Sequence, residues 1–304
     1  MSSEVPDYHK EQIKKVKSAS RRYGRRDWFW NLLTILIPTI LAGSYSWFEA
    51  GWFEVTKKKI ISPKIPAGKK VKVLHLSDLH LSEVVSIKHI DQAFQEGMKN
   101  SPDVCLLTGD FITSQPTDAQ LLDLRNCLAQ YSKKIPTFAC LGNHDGGYWS
   151  GKNGGFQTDE KIRAVLKDAR VRLLDNQQVS VLIKGVPLTI TGLGDLWSKQ
   201  CRPEKCLNKK SYATHLLLCH NPDAKDILRD YHWDLMLAGH THGGQFRIPF
   251  VNFAPFAPVK DLSMTEGLHS SHGKPIFITR GVGNVYGVRI NCRPEVSLLE
   301  LANS

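Results

Sequence analysis

An α/β body behind an N-terminal hydrophobic helix is the fold class that this 304-residue sequence predicts. Three observations carry the prediction. A stretch of 21 residues near the N-terminus holds no charge. From residue 71 onward short apolar, β-prone runs recur, each ending in polar residues or glycine. Between the runs lie segments with helical periodicity, so strands and helices alternate around a largely buried sheet. The length suffices for one large or two ordinary domains with a sizeable core.

The first element is a basic arm over residues 1–27. The first 70 residues hold 14 Lys/Arg against six Asp/Glu, so +8 of the overall +11 lies there and the rest is nearly balanced. The uncharged stretch follows, WFWNLLTILIPTILAGSYSWF from Trp28 to Phe48. As a helix it is about 32 Å long, close to the thickness of a bilayer's hydrocarbon core. Trp28, Trp30, Tyr45, Trp47 and Trp52 crowd its ends as aromatic belts do at lipid headgroups, and Pro38 predicts a kink. A signal peptide usually has a shorter apolar core and a small-residue cleavage site, and a core helix is not normally flanked by RRYGRR and KKK. Residues 28–53 are therefore expected to be a retained membrane anchor, with a basic linker over 54–70.

Eight Lys/Arg precede the stretch and seven follow it closely, so the positive-inside rule gives no orientation. Arg21-Arg22 lacks the apolar residues expected after a twin-arginine export signal. Basic flanks on both sides also suit a kinked helix lying at an anionic membrane face. A lipid bilayer is the expected partner, nucleic acid is not, and the oligomeric state stays open.

The body, residues 71–301, reads as VKVLHLSD (71–78), DVCLLTGD (103–110), PTFACLGNHD (136–145), VPLTITGLGD (186–195), THLLLCHNPD (214–223) and WDLMLAGHTH (233–242). Helical periodicity appears over 87–100 and 118–134. Seven scattered cysteines, several inside apolar runs, point to a reducing compartment rather than a disulfide framework. Cys201 and Cys206 have no second pair to complete a zinc site.

In open α/β sheets ligands collect beyond the carboxyl ends of the strands. Those ends carry Asp78 and His80, Asp110, Asn143 and His144, His220, then His240 and His242. Singly, each has an ordinary explanation as a cap, a turn residue or a satisfied core histidine. Eight such groups at successive strand ends point to a shared metal centre of oxygen and imidazole ligands without sulfur. Gly239, Gly243 and Gly244 then let the chain turn sharply, so that His240 and His242 reach the metal unobstructed.

Five motifs in this order, D-x-H (Asp78, His80), G-D (Gly109, Asp110), G-N-H-D (Gly142 to Asp145), a lone His220 and G-H-T-H (Gly239 to His242), resemble the calcineurin-like metallophosphoesterases. The variants GDLW, HNPD, WDLMLAGHTHGGQ, FAPV, TRGVGNVYGVR and NCRPEV are similar to a bacterial membrane-associated phosphodiesterase subgroup. That subgroup includes the chlamydial-type pyrophosphatases of lipid A synthesis. The resemblance implies a four-layer αββα sandwich and two divalent ions. One ion would take Asp78, His80, Asp110 and His242; the second would share Asp110 with Asn143, His220 and His240. Such ligands suit Mn²⁺, Fe or Zn²⁺, with Mn²⁺ favoured. His144 is not a ligand in the family; it is expected to contact the phosphoryl oxygen or protonate the leaving group, with Asp145 orienting its ring. Arg280, Arg289 and Arg293 are candidates to hold phosphate oxygens. The implied reaction is hydrolysis of a phosphodiester or pyrophosphate, with UDP-2,3-diacylglucosamine as the best single substrate. UDP-sugars are cytosolic, so this places the body at the cytoplasmic face of a bacterial inner membrane. A phosphomonoesterase uses the same centre, and a non-catalytic scaffold would have lost ligands that are all present here.

Overall fold

The computed structural model describes residues 7–20, 25–207, 211–251 and 253–303. The chain divides into two units, residues 1–46 and 47–304. The first holds helix α1 (Asp7–Ser20) and most of helix α2 (Arg25–Ala50). From Trp28 to Ala50 α2 is long and apolar enough to cross a membrane. Every side chain from Trp28 to Tyr45 is exposed apart from the half-buried Leu33. Such a surface is costly in water and suits lipid. The helix stops at Ala50, so Trp52 and Phe53, expected inside the anchor, lie beyond it.

The second unit contains, in chain order, β1 (Glu54–Ile61), β2 (Lys70–Leu76), α3 (Ile87–Met98), β3 (Val104–Thr108), α4 (Asp118–Ser132), β4 (Thr137–Cys140), α5 (Tyr148–Lys152), α6 (Glu160–Asp168), β5 (Arg172–Leu173), β6 (Gln177–Ile183), β7 (Val186–Gly192), β8 (Thr214–Leu218), β9 (Leu235–Ala238), β10 (Gly267–Ser271), β11 (Lys274–Ile278) and β12 (Glu295–Ala302). All six predicted strands and both predicted helices are present, each ending before the predicted stretch does. The basic linker expected over 54–70 is corrected: β1 occupies it and pairs in parallel with the last strand, β12, from Glu54↔Glu295 to Ile61↔Ala302. Its lysines 57–59 stand on an edge strand exposed on both faces, which erases the period-two apolar signal.

Two mixed sheets stack face to face. One runs β1-β12-β2-β3-β4-β5 and the other β10-β11-β9-β8-β7-β6. Alternation along each central strand explains both layers. Val71 and Val73 of β2, Val104 and Leu106 of β3, and Phe138 and Cys140 of β4 point into the space between the sheets. They meet Leu216 and Leu218 of β8 and Leu235 and Leu237 of β9 there. The intervening Leu74, Leu76, Cys105 and Leu107 pack outward against α3, α4 and α6 through Ile90, Phe94, Leu124, Leu128, Ile162 and Leu166. Buried on both faces, such strands read as continuous apolar runs. α3 and α4 are N-capped by Ser86 and Thr117, the latter in a capping box with Gln120. The outer layer over the second sheet is thinner, made of 3-10 turns at Pro203–Lys205 and Pro222–Asp226 and adjoining loops around Trp233. The expected four-layer αββα sandwich is thus present, and the carboxyl ends of β2, β3, β4, β8 and β9 meet at one edge of it.

Candidate metal centre

Each candidate ligand follows a strand within a few residues. Asp78 and His80 follow β2, Asp110 follows β3, Asn143 opens the 3-10 turn after β4, His220 follows β8, and His240 and His242 follow β9. Five of them sit in left-handed backbone: Asp78 (φ 54°), His80 (50°), Asp110 (54°), His240 (68°) and His242 (51°). Such residues cost about 1–3 kcal/mol each and persist where the surroundings over-determine them. Here the hydrogen bonds between loops do so: Asp78 N donates to Gly109 O at 2.9 Å, His80 N to Asp110 O at 3.0 Å and Gly239 N to His220 O at 3.0 Å.

The turn after β9 shows what its glycines are for. Gly243 and Gly244 take φ of 60° and 83°. A Cβ at Gly239 would run into Ser77 Oγ and the Asp78 carboxylate, so only glycine lets the His240 amide donate to that carboxylate, at 3.0 Å to Oδ1.

The side chains converge in two groups, and a third set, His80, Asp110 and His144, overlaps both. Asp78, His80 and His242 each offer an atom within 4.8 Å of the others, and so do Asp110, His220 and His240. His242 Nε2 lies 3.0 Å from His80 Nε2 and 3.4 Å from Asp78 Oδ1. Asp110 Oδ2 faces both groups, 3.6 Å from His80 Nε2 and 3.1 Å from His220 Nε2, and His220 Nε2 is 3.2 Å from His240 Nδ1. His220 Nδ1 donates to Thr108 O at 2.7 Å, which leaves the Nε2 lone pair aimed at the cluster.

This donor set fits divalent cations. Pairs of imidazole nitrogens facing each other at 3.0–3.2 Å need a cation or a proton between them. Asn143 Oδ1 is buried with no hydrogen-bond partner among the described residues, an unpaired acceptor that a cation would satisfy. Burial lowers the pKa of His240 to about 3 and of His242 to about 4, keeping both neutral and free to ligate. His220 differs: burial alone would lower its pKa, but the Asp110, Asp78 and Asp195 carboxylates raise it to about 10. The cavity over the cluster measures about 350 Å³.

Residues 71–244 match the family model of the calcineurin-like phosphoesterases. The chain belongs to that family. The phosphodiesterase YaeI of Escherichia coli is 39% identical over 259 residues, covering 85% of this chain and 92% of that protein. The uncharacterized metallophosphoesterase YkoQ of Bacillus subtilis is 31% identical, covering 78% and 86%. The UDP-2,3-diacylglucosamine pyrophosphatase LpxG of Chlamydia muridarum is 25% identical, covering 75% and 83%. The chain is therefore a metal-dependent phosphoester hydrolase, with buried His and Asp groups suited to a metal centre.

In this phosphoesterase His144 stands at the cavity wall. Its amide donates to Asp110 Oδ1 at 2.8 Å, and its Nδ1 donates to Thr113 O at 2.5 Å, so Nε2 is the nitrogen left for the cavity. Asp145 does not orient that ring, which corrects the expectation. Its buried carboxylate accepts from the amides of Asp110 and Gly142, both at 2.8 Å, and of Phe111 at 2.7 Å. It staples the β3 and β4 loops together, and Thr113 sets the imidazole.

The three arginines are also corrected: none is free for phosphate. Arg280 donates to Glu54, Glu266 and Arg293 O. Arg289 is fully buried among backbone carbonyls. Arg293 donates to Trp52 O and Phe53 O and stacks on Trp52, 3.8 Å from the ring centroid. Two tryptophans wall the cavity instead, Trp197 of the GDLW variant and Trp149, which lies in none of the quoted motifs. Trp149 packs edge-on to His144 at 4.6 Å and Trp197 edge-on to His240 at 4.2 Å. Asp195, at the end of the GLGD run after β7, is buried behind His220; its place at a strand end and in the GDLW variant hinted at it.

Proposed function

We propose that the chain is a membrane-bound phosphodiesterase or pyrophosphatase that works with two divalent ions, Mn²⁺ favoured, and that its best single substrate is UDP-2,3-diacylglucosamine, cleaved to UMP and 2,3-diacylglucosamine 1-phosphate. The observation that carries the reading is the pair of buried ligand groups joined by Asp110. Asp78, His80, Asp110 and His242 would hold one ion, and Asp110, Asn143, His220 and His240 the other. When bound, the ions supply charge neutralisation for the phosphoryl oxygens and lower the pKa of the attacking water. The chain does the rest. Asp145 and the loop hydrogen bonds fix the ligands in place, and His144, held at Nδ1 by Thr113 O, presents Nε2 to contact a phosphoryl oxygen or give a proton to the leaving oxygen.

The lipid substrate is supported by the relatedness to the chlamydial pyrophosphatase and by the apolar helix, which would keep the body at the surface where an acylated substrate shows its head group. A nucleotide-sugar lipid is made from cytosolic precursors, so the body would face the cytoplasm. A second reading, a phosphodiesterase of other substrates, is favoured by the higher identity, 39%, to the phosphodiesterase YaeI. Mass spectrometry of purified full-length protein with UDP-2,3-diacylglucosamine and Mn²⁺ separates the two. UMP and lipid phosphate establish the first; turnover of bis-p-nitrophenyl phosphate without them leaves the second. Faster turnover of p-nitrophenyl phosphate than of the diester would count against both.

A further inference from the structure

The run IPFVNFAPFAPV, residues 248–259, carries no charge. Ile248 N donates to Phe253 O at 2.9 Å, closing a small hairpin. At its tip Phe250 is fully exposed and Val251 is 65% exposed; Phe256, at its foot, is 75% exposed. A large apolar side chain in water at a tip is a feature that asks for a partner.

The hairpin is fixed to the metal centre. Buried Ala254 packs on Gly244, in the turn that carries His240 and His242, and Phe256 and Pro258 line the cavity over the ligands. Arg247 N donates to Ile290 O and Ile290 N to Gln245 O, at 2.9 and 2.8 Å, which ties the hairpin to the segment 284–290. Val285 and Tyr286 of that segment form the opposite part of the cavity rim, with Tyr286 78% exposed. Asn284 and Gly287 of the same segment line a second cavity of about 450 Å³ together with Trp47, Phe48 and Trp52, at the end of α2. Exposed aromatic groups thus run in one series from the last turn of the apolar helix, past the mouth of the site, to the hairpin tip.

We infer that the 248–256 hairpin is a second membrane contact, one that inserts Phe250 and Val251 at the headgroup boundary and seats the mouth of the metal centre on the lipid surface. The occupant is a bilayer because the series begins at a helix long and apolar enough to cross one, and because aromatic and aliphatic tips without charge suit that boundary. The inference rests on the proposed membrane location of this phosphoesterase and deepens it by giving the site a lipid-facing entrance.

The test uses the full chain in phosphatidylcholine vesicles, without substrate. All seven native cysteines are buried, so Phe250→Cys and Val251→Cys each give one accessible thiol for a nitrobenzoxadiazole label. Leu182→Cys is the control, on an exposed position (70%) of β6, the edge strand farthest from β10 in its sheet. A tip seated within the headgroup and upper acyl region gives a blue-shifted emission that falls by about half or more with doxyl-labelled phosphatidylcholine in the vesicles, with the control unchanged. Unquenched emission at both tip positions in vesicles overturns the inference. So does a shift that grows with protein concentration and is insensitive to doxyl lipid, the result for a contact between copies of the chain. Quenching without cleavage of UDP-2,3-diacylglucosamine keeps the contact and removes that substrate; cleavage without quenching does the reverse.

Discussion

Replacing Arg289 by methionine separates a structural clamp from a substrate contact. The guanidinium is fully buried and donates to the carbonyls of His242 (3.3 Å), Arg280 (2.8 Å), Gly281 (3.3 Å), Gly283 (2.6 Å) and Cys292 (3.1 Å). Burial lowers its pKa, and those carbonyl dipoles offset part of the penalty on the charge. Methionine fills much of the space and donates nothing. Hydrogen bonds from a charged donor contribute about 1.5–3 kcal/mol each, and each carbonyl left dry costs about 1–3 kcal/mol. Removing the buried charge returns part of that, so the net loss is about 3–5 kcal/mol. In a body of this size each kcal/mol moves Tm by about 2–4 °C, so Arg289→Met should melt about 10 °C lower. The assay is circular dichroism on full-length protein in detergent, beside kinetics on bis-p-nitrophenyl phosphate well below both transitions. The clamp predicts a lowered Tm with KM near wild type. An unchanged Tm with KM raised about tenfold would refute it and restore a phosphate-binding role.

Asp110→Ala removes the carboxylate shared by both ligand groups and should abolish hydrolysis with loss of bound metal, measured by plasma mass spectrometry. His144→Ala should keep the metal and slow turnover about a hundredfold or more; loss of an ion in that variant would contradict the role given to His144. His75, buried between the sheets and bonded to Thr108 Oγ1 at 2.8 Å, has its pKa lowered to about 3 by burial. The unfolded chain therefore takes up a proton near pH 6.5 that the folded chain refuses, and stability falls as pH drops through that window by about 1.4 kcal/mol per unit. Urea unfolding of metal-free protein at pH 7 and pH 5 should show a loss about 2 kcal/mol smaller for His75→Gln than for wild type, and equal losses would count against it. A chain beginning at Trp47 should leave the membrane pellet at high salt and keep diester turnover. One beginning at Thr56 also loses Glu49, whose buried carboxylate accepts from Asn291 N at 2.9 Å and Cys292 N at 2.5 Å, and should be less stable by about 2–6 kcal/mol.

The candidate metal centre was legible because its residues follow strands that are buried on both faces. Apolar runs such as VCLLT announce those strands, and a sandwich of such strands brings their ends to one place. The arginines misled for a physical reason: a charge near a site looks alike in sequence whether it meets a phosphate or a cage of carbonyls, and the cage around Arg289 is made of backbone that carries no residue signal. Asp145 misled through adjacency. The 3-10 turn Asn143–Asp145 sends its carboxylate back to the amides of Asp110, Phe111 and Gly142 rather than toward its neighbour's ring. Trp197 lay in the GDLW variant without a role, and Trp149 in no motif, because they meet over the histidines from α5 and from the loop after β7, and no spacing in the chain links them.

The left-handed backbone at Asp78, His80, Asp110, His240 and His242 also bears on how the protein acquires its ions. Loop-to-loop hydrogen bonds such as Val282 N to Ser77 O at 2.9 Å and Gly283 N to Asp78 O at 2.7 Å hold those conformations. The backbone that presents the candidate ligands is therefore set by amide–carbonyl pairs rather than by the ligand side chains themselves. Affinity alone ranks first-row metals the same way at most such sites, so the cation carried is expected to follow the free-ion pool of the compartment that holds the body. Metal content measured directly after extraction from cells would thus report on that compartment as much as on the enzyme.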